Sequence, residues 1–240
     1  MRLDIVLTRR GLCPSRERAK SAILAGLVTV NGREERKPSR TVCASDLLAL
    51  REDESLRYVS RGALKLLHAL DCFEIDVNNL RCLDVGASTG GFTQVLLERG
   101  AAQVTAVDVG TAQLAQVIRD DPRVRSLEQT DIRALDIPPV RFACVDVSFI
   151  SLRLVLPKLF GLMEPGGCAV CLVKPQFEAG PGAVSKSGVV QDPKARLRAL
   201  EEVTAAARQT GFMPCGTTPS PITGGAGNVE FLLYLKKETL

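Results

Sequence analysis

The 240-residue sequence contains no tryptophan and a single histidine, His68. One pair of cysteines, Cys168 and Cys171, has the C-x-x-C spacing, but no second pair and no nearby histidine completes a zinc site. Eight cysteines are scattered along the chain, mostly between apolar residues. We interpret them as small buried hydrophobes in a reducing compartment rather than as metal ligands or disulfide partners, and we predict no metal.

Long uncharged hydrophobic runs are also missing. The most apolar long stretch, residues 145–163, contains Asp146, Arg153 and Lys158, which a membrane span would not tolerate. The first residues are charged and precede no apolar segment of the kind found in secretory signals. We therefore predict a cytoplasmic protein with no membrane partner.

Acidic charge is scarce at the start of the chain. Residues 1–50 contain ten Lys or Arg and five Asp or Glu, whereas residues 51–240 contain 21 and 22. This imbalance favours an N-terminal module that contacts a polyanion, with an ordinary solvated basic face as the alternative. The 45% apolar content allows a sizeable core, in one large domain or in a large and a small one.

Local signals predict a compact unit over residues 1–50. An amphipathic helix covers residues 3–10, and a second helix begins after Ser15, whose side chain can cap it. A short strand then precedes Asn31-Gly32, which is the strongest two-residue hairpin signal. A charged segment follows this unit, and we place a linker at residues 51–59.

Beyond Leu80 the chain alternates between strand and helix patterns, which indicates a parallel α/β sheet. A Pro- and Gly-rich loop, residues 214–227, joins the last two strands and predicts an antiparallel return. The predicted strands are 81–85, 103–107, 124–128, 142–147, 168–174, one that begins at 212, and 230–236; the predicted helices are 61–70, 92–99, 111–119, 152–162 and 193–211.

A glycine-rich turn follows the strand at residues 81–85 and precedes a helix. This order lets backbone N–H groups at a helix start approach a nucleotide-like ligand. The spacing is Gly-x-Ser-x-Gly-Gly from Gly86 to Gly91, and no Gly-Lys-Ser/Thr follows for a triphosphate. A plain strand–helix turn remains the alternative for this pattern alone.

Acidic residues stand where three later strands end. Asp108 can accept hydrogen bonds from both hydroxyls of a ribose, and Asp131 can accept one from an adenine amino group. Asp146 closes the next strand. Each acid alone could be a loop residue or a helix cap, but all three together with the glycine-rich turn favour a site for S-adenosylmethionine (SAM).

Residues 1–50 resemble the S4 RNA-binding domain. The resemblance rests on Ser15–Lys20, Ile23 and Gly26–Gly32. In that family a basic face grips structured RNA, and arginine can donate two hydrogen bonds to one phosphate. Any single one of these cations could equally be an ordinary exposed charge. The implied RNA contacts are Arg9, Arg10, Arg16, Arg18 and Lys20.

The whole chain resembles the TlyA-type ribosomal RNA 2′-O-methyltransferases, which join an S4 domain to an FtsJ-like (RrmJ-like) methyltransferase domain. The resemblance implies a Rossmann-like α/β methyltransferase with a seven-stranded sheet and a small N-terminal α+β S4 domain, divided as 1–50, linker 51–59 and 60–240. The matching segments are 60–66, 84–93, 107–110, 113–114, 146–152, 173–178, 188–193 and 227–231.

The same resemblance implies the site residues. Gln94, Thr111 and Asp131 depart from the family pattern near the cofactor. Ribosomal RNA or a ribosomal subunit is the implied partner, and the sequence does not indicate an oligomeric state. The implied catalytic set is Lys65, Asp146, Lys174 and Glu230; the implied SAM contacts are Asp84, Gly86, Ser88, Gly90, Gly91, Phe92, Thr93, Asp108, Val109, Asp131 and Ile132; Arg61 joins the RNA contacts.

The implied reaction needs a ribose 2′-hydroxyl to attack a sulfonium methyl group in line. A lysine can take the hydroxyl proton only in its neutral form, which a neighbouring cation or partial burial favours. We therefore assign Lys174 as the base and Lys65 as a second cation that contacts the target ribose or phosphate. Asp146 and Glu230 would orient the two lysines. Taken alone, Lys65 fits a lysine that merely extends from an apolar helix to water.

Two other functions remain open at this point. One is a non-catalytic ribosome-binding assembly factor that keeps the cofactor fold. The other is a pore-forming hemolysin, which the family's historical name suggests and which no membrane span or pore-like amphipathic segment supports. The leading interpretation is a methyltransferase that acts on cytidine in the RNA of the small or large ribosomal subunit.

Overall fold

The computed structural model describes residues 1–51, 57–224 and 227–238. Contacts within the chain divide it into two compact units, Met1–Tyr58 and Val59–Leu240. Residues 52–56 of the predicted linker lie outside the described residues, so the linker stays a prediction.

The first unit packs two helices, α1 (Leu3–Arg9) and α2 (Arg16–Leu24), with a small antiparallel sheet. Its strands are β1 (Val28–Val30), β2 (Arg33–Glu35) and β3 (Leu48–Leu50), with β1 in the centre. Leu3, Leu7, Ile23, Val28 and Val30 belong to an apolar cluster that forms the core of the described part of this unit.

Two local predictions in this unit are confirmed. The Ser15 side chain accepts a hydrogen bond from the backbone N–H of Arg18 at 3.2 Å and so caps α2. Asn31 and Gly32 have φ angles of 53° and 78°, and they join the antiparallel strands β1 and β2. Positive φ at both positions is what a tight type I′ hairpin turn requires.

The second unit is built on a seven-stranded sheet with helices, as the sequence predicts for the fold class. Its strands are β4 (Arg81–Val85), β5 (Gln103–Val107), β6 (Val124–Leu127), β7 (Val140–Val145), β8 (Met163–Val173), β9 (Phe212–Pro219) and β10 (Phe231–Lys237). Its helices are α3 (Ala63–Cys72), α4 (Gly91–Glu98), α5 (Gln116–Arg119), α6 (Leu152–Leu162), α7 (Pro175–Glu178) and α8 (Pro193–Thr210).

The strand order is β6-β5-β4-β7-β8-β10-β9. Strands β4 to β8 are parallel to one another, and β10 runs antiparallel between β8 and β9. The predicted antiparallel return is therefore confirmed. Because the parallel strands end at the same edge of the sheet, the residues that follow β4, β5, β7 and β8 lie side by side.

Several predicted boundaries are wrong, and strand β8 begins at Met163 rather than at residue 168. The helix predicted over 111–119 covers only α5, because Ala112 has a positive φ of 51° and its N–H donates to Glu128 at 2.7 Å. The loop predicted to begin at Pro214 begins after Pro219 instead. Strand β9 tolerates its prolines because it lies at the edge of the sheet, with a bulge where Pro214 pairs with Leu235.

A buried apolar core attaches helices to the sheet. The main core packs the inner strands against α6 and α8 and includes Leu83, Val145, Leu156 and Val203, all fully or almost fully buried.

Within residues 1–51, 57–224 and 227–238, no helix is both long and apolar enough to cross a bilayer.

Candidate active site

The glycine-rich turn connects β4 to α4 at the edge where the parallel strands end. Gly86 and Gly90 have φ angles of 81° and 95°, in the left-handed region that favours glycine. A Cβ on Gly86 would overlap the backbone carbonyl oxygen of Asp146, and one on Gly90 would approach Leu114 Cδ1 to 2.8 Å. Gly86 therefore lets the turn lie directly against the end of β7, and Gly90 lets it pack closely against Leu114.

Asp108 fixes the geometry between this turn and the end of β5. Its Oδ2 accepts the backbone N–H of Ser88 at 2.7 Å, and its Oδ1 accepts that of Gly110 at 2.8 Å. A carboxylate has further lone pairs on both oxygens. Asp108 can therefore hold the turn and still accept hydrogen bonds from a ligand.

A cavity of about 330 Å³ lies at this edge of the sheet. Six of the predicted cofactor contacts line it, and five lining residues belong to the segment between β7 and α6. Its polar and apolar walls suit a ligand with a charged and an aromatic part. The predicted contacts on the wall are Gly86, Ser88, Asp108, Val109, Asp131 and Ile132, and the lining residues after β7 include Asp146, Val147, Ser148 and Phe149.

The other predicted cofactor contacts, Asp84, Gly90, Gly91, Phe92 and Thr93, are not on this wall. Asp84 is fully buried and accepts a hydrogen bond from Thr93 Oγ1 at 2.6 Å. Burial raises the pKa of Asp84 to about 7, although the hydrogen bond from Thr93 opposes that shift. In this structure the hydrogen bond between Asp84 and Thr93 links β4 to α4, the two elements that the glycine-rich turn connects.

Asp131 already has a charged partner. Its carboxylate accepts the backbone N–H of Arg133 at 2.9 Å and pairs with that guanidinium at 2.6 Å. These hydrogen bonds hold the pKa of Asp131 below its usual range. Asp131 is therefore an anchored anion on the cavity wall, with its orientation set by Arg133.

The four predicted catalytic residues come together at the same edge from four elements. Lys65 lies on α3, Asp146 follows β7, and Lys174 follows β8. Strand β10 pairs with β8 so that Phe231 lies opposite Val173. Glu230, the residue before β10, is therefore adjacent to Lys174.

These residues form two ion pairs. Lys65 Nζ lies 2.6 Å from Glu230 Oε2, and the two side chains are 9% and 3% exposed. Lys174 Nζ lies 2.6 Å from Asp146 Oδ1, with side chains that are 10% and 20% exposed. Charges so far from water persist only when they are paired, so each carboxylate fixes the position of one amine.

Two residues that sequence reasoning did not single out complete this region. Ser148 Oγ accepts a hydrogen bond from Lys174 Nζ at 2.8 Å. Glu178, buried in α7, accepts from Ser151 Oγ at 2.6 Å and from the backbone N–H of Leu152 at 2.8 Å, and burial raises its pKa. Both residues lie in segments that carry the family resemblance, which is the only signal that pointed to them.

The departures from the family pattern also have structural partners. Gln94 Oε1 accepts the backbone N–H of Val59 at 2.8 Å, and its amide donates to Glu98 at 3.1 Å. Thr111 Oγ1 accepts from Gln129 Nε2 at 3.1 Å. Gln94 is not on the cavity wall, so it serves to attach the start of this unit to α4.

The predicted RNA contacts of the first unit differ in how they are held. Arg10 donates to the carbonyl oxygens of Asp46 and Ala44 at 2.9 and 2.8 Å. Arg16 pairs with the buried Asp4 at 2.9 Å, and hydrogen bonds from Arg2 and Arg16 lower the pKa of Asp4 to about 2. Both arginines are therefore already used within the unit.

The remaining predicted RNA contacts are less constrained. Arg9 and Lys20 are exposed and pair with no side chain in the described part of the chain. Arg18 is half-buried and has interactions of its own. Arg61 is exposed just before α3 in the second unit.

Comparison with known families agrees with this architecture. The model of the FtsJ-like methyltransferases matches residues 58–237, and the model of the S4 domain matches residues 1–48. The fold and the matches define the class: an FtsJ-like methyltransferase unit that follows an S4 domain. The predicted fold class is thereby confirmed.

Curated relatives narrow this class. The 16S/23S rRNA (cytidine-2′-O)-methyltransferase TlyA of Mycobacterium tuberculosis strain H37Rv is 47% identical over 242 residues, which cover 99% of this chain and 90% of that protein. Hemolysin A of Brachyspira hyodysenteriae is 40% identical over 98% of this chain and 99% of its own. This chain belongs to the TlyA family of FtsJ-like methyltransferases.

A solved structure supports the same conclusion. A Streptococcus thermophilus protein described as a hemolysin has a TM-score of 0.80 and 45% sequence identity with this chain. The match covers 99% of this chain and 88% of that protein. The fold is therefore shared along nearly the whole chain.

Proposed function

We propose that this protein transfers the methyl group of SAM to the ribose 2′-hydroxyl of a cytidine in ribosomal RNA. The observation that carries the proposal is the pair of Lys–carboxylate ion pairs at the edge of the sheet where the parallel strands end, Lys174–Asp146 and Lys65–Glu230. The 16S/23S rRNA activity named for the Mycobacterium relative supports the choice of substrate. Because ribosomal RNA is found in the cytoplasm, the proposed function implies that the protein acts in the cytoplasm.

The residues at the cavity fit SAM. Asp108 has lone pairs available for ribose hydroxyls, and the apolar Val109 and Ile132 can flank an adenine ring. The turn from Gly86 provides a close backbone approach, since a Cβ there has no room. Bound SAM supplies an electrophilic methyl group on a sulfonium sulfur.

The ion pairs then assign a task to each catalytic residue. Lys174, in its neutral form, accepts the proton of the 2′-hydroxyl, and Asp146 holds its amine in place at 2.6 Å. Lys65, held by Glu230, contacts the ribose or the neighbouring phosphate. Holding two reactants in line supplies much of the rate, so the orientation of both amines matters as much as their basicity.

The first unit supplies RNA affinity. We propose that Arg9 and Lys20 contact phosphates, because they are exposed cations without a side-chain partner among the described residues. Arg61, which is exposed in the second unit, contacts the same RNA. Arg10, Arg16 and Arg18 contribute to the positive field of the first unit.

The direct test is methylation of purified ribosomal subunits and of free ribosomal RNA by the full-length protein. Lys174→Ala should abolish transfer while calorimetry still detects SAM binding. Lys194→Ala is the matched control, since Lys194 is an exposed lysine on α8. Retained transfer by Lys174→Ala contradicts the assignment of the base.

A cellular measurement tests the function as a whole. Ribose methylation is mapped across total ribosomal RNA in cells with and without the gene. We expect at least one cytidine to lose its 2′-O-methyl group. If both subunits keep every methylated site, the non-catalytic assembly factor becomes the better explanation.

A further inference from the structure

Two partners of Lys174 line the cavity, whereas Lys174 itself does not. The residue is 9% exposed, and it is not among the described residues that line the cavity. Its amine contacts Asp146 Oδ1 at 2.6 Å and Ser148 Oγ at 2.8 Å, and both of these residues are on the cavity wall. A hydroxyl bound at this wall can therefore contact Ser148 or Asp146 directly.

Ser148 is the more accessible of the two. Ser148 is an exposed residue. The Asp146 side chain is 20% exposed, and its carboxylate is paired with Lys174. A serine hydroxyl has one proton to donate and two lone pairs that accept. Ser148 accepts from Lys174 in this structure, and when that amine is neutral its nitrogen has a lone pair, so the same contact lets the serine hydroxyl donate to Lys174 while it accepts from a ligand.

The loop that carries Ser148 is fixed at both ends. The backbone N–H of Asp146 donates to the carbonyl oxygen of Val85 at 2.8 Å. At the other end, buried Glu178 accepts from Ser151 Oγ and from the backbone N–H of Leu152. The position of Ser148 beside Lys174 is therefore set by the fold rather than by chance exposure.

We propose that Ser148 is a catalytic residue that relays the proton from the ribose 2′-hydroxyl to Lys174, an inference that rests on the proposed function. The 2′-hydroxyl donates to Ser148 Oγ, and the hydroxyl of Ser148 donates to the neutral amine of Lys174. As the bond from the 2′-oxygen to the methyl carbon forms and the sulfur–methyl bond breaks, both protons shift one place. The products are a 2′-O-methyl ribose, a neutral thioether and protonated Lys174, with Ser148 unchanged.

The test compares Ser148→Ala with Ser148→Thr in single turnovers at saturating SAM and RNA. Loss of one proton-transfer group typically costs about 100-fold or more in rate, so we expect that decrease in Ser148→Ala. Ser148→Thr keeps a hydroxyl at an exposed position with room for the extra methyl group, and it should retain most of the rate. Calorimetry should give both variants the SAM affinity of the unmodified protein.

A second readout separates a relay from simple positioning of Lys174. Rates are measured in mixtures of light and heavy water. Two protons that move together give a curved dependence on the deuterium fraction, whereas one proton gives a linear dependence. We expect the curve for the unmodified protein and a linear dependence for the residual rate of Ser148→Ala.

Three results would overturn the relay: an unchanged rate in Ser148→Ala, a linear dependence in the unmodified protein, or a Thr variant as slow as the Ala variant. Loss of SAM affinity in Ser148→Ala would also overturn it, because the residue would then act in cofactor binding. These outcomes all require an active unmodified protein. If that protein methylates no ribosomal RNA, the proposed function itself has failed.

Discussion

The two units of this protein bury a carboxylate in opposite ways. In the first unit, Asp4 lies between Arg2 and Arg16, and its pKa falls to about 2. In the second unit, Asp84 accepts a hydrogen bond from Thr93 and pairs with no cation among the described residues, and its pKa rises to about 7. Burial therefore does not decide the charge of an acid; the partner that shares the burial does.

The two units also differ in how exposed the cations are that pair with their buried carboxylates. The cations around Asp4 are largely exposed, so they stabilise one buried anion while remaining open to solvent. The cations of the candidate active site, Lys65 and Lys174, are nearly buried and each holds one carboxylate. The first arrangement suits RNA attraction, and the second suits positioned proton transfer.

The largest effect is expected from breaking the deeper ion pair of the second unit. Lys65→Met leaves Glu230 buried without its cation, which should cost about 3–5 kcal/mol of unfolding free energy and abolish methylation. The double variant Lys65→Met with Glu230→Leu removes both charges and should recover most of that stability without recovering activity. Chemical denaturation and methylation assays measure the two effects separately. Recovery of activity in the double variant would show that the pair has no catalytic role.

The next largest effect is expected at Asp84. Its raised pKa means that the folded protein binds more protons than the unfolded chain between about pH 4 and pH 7, so stability falls as pH rises through that range. Asp84→Asn keeps an acceptor for Thr93 but cannot ionise, and it should be more stable than the unmodified protein by about 4 kcal/mol at pH 8. At pH 4 the advantage should vanish. An advantage that does not depend on pH would contradict this account.

A smaller effect of opposite sign is expected at Asp4. Its lowered pKa adds stability above about pH 4 that is lost as pH falls toward 2. Asp4→Asn should remove about 1 kcal/mol at neutral pH, discounted because both arginines reach solvent. Hydrogen exchange read by mass spectrometry over residues 1–50 reports this unit separately from the rest. Equal loss of protection at pH 3 and pH 7 would contradict the prediction.

The smallest effects are expected among the exposed cations of the first unit. Arg9→Ala or Lys20→Ala should weaken binding to ribosomal RNA modestly and reduce the slope of log affinity against log salt by about 1 for each phosphate that the variant no longer neutralises. Arg10→Ala should instead loosen the segment around Ala44 and Asp46, because its guanidinium donates to both of their carbonyl oxygens. Filter binding across salt concentrations, with hydrogen exchange as the companion measurement, distinguishes the two behaviours. An unchanged salt slope in both Arg9→Ala and Lys20→Ala would show that neither residue contacts a phosphate of the RNA.

Much of the fold could be predicted from local pattern. The hairpin at Asn31-Gly32 and the turn that begins at Gly86 follow from backbone conformations that few other residues adopt. Helix α8 begins at Pro193 after its cap Asp192 and is followed by Gly211 in the left-handed conformation, as start and stop signals predict. These features depend on residues within a few positions of each other.

The features that sequence reasoning did not predict depend on contacts between residues that are distant in sequence. The shortening of the helix predicted at 111–119 depends on Glu128, which is distant in sequence from Ala112. The burial of Asp4 was not visible, because the residue looks like an ordinary acid in the first turn of an amphipathic helix. The approach of Arg16 from the next helix adds a second cation to the one that the neighbouring Arg2 supplies, and together they compensate that burial.

The sequence by itself determined the order of elements and the S4-plus-methyltransferase plan, and its resemblance to a known family predicted the four residues Lys65, Asp146, Lys174 and Glu230, because patterns and motifs are read locally. The tertiary structure alone decided how those four combine: Lys65 with Glu230, 165 positions away, and Lys174 with Asp146 and Ser148. It also decided that Ser148, and not Lys174, lies on the cavity wall. Pairing and exposure depend on which strand ends meet at one edge of the sheet, and that is a property of the folded chain.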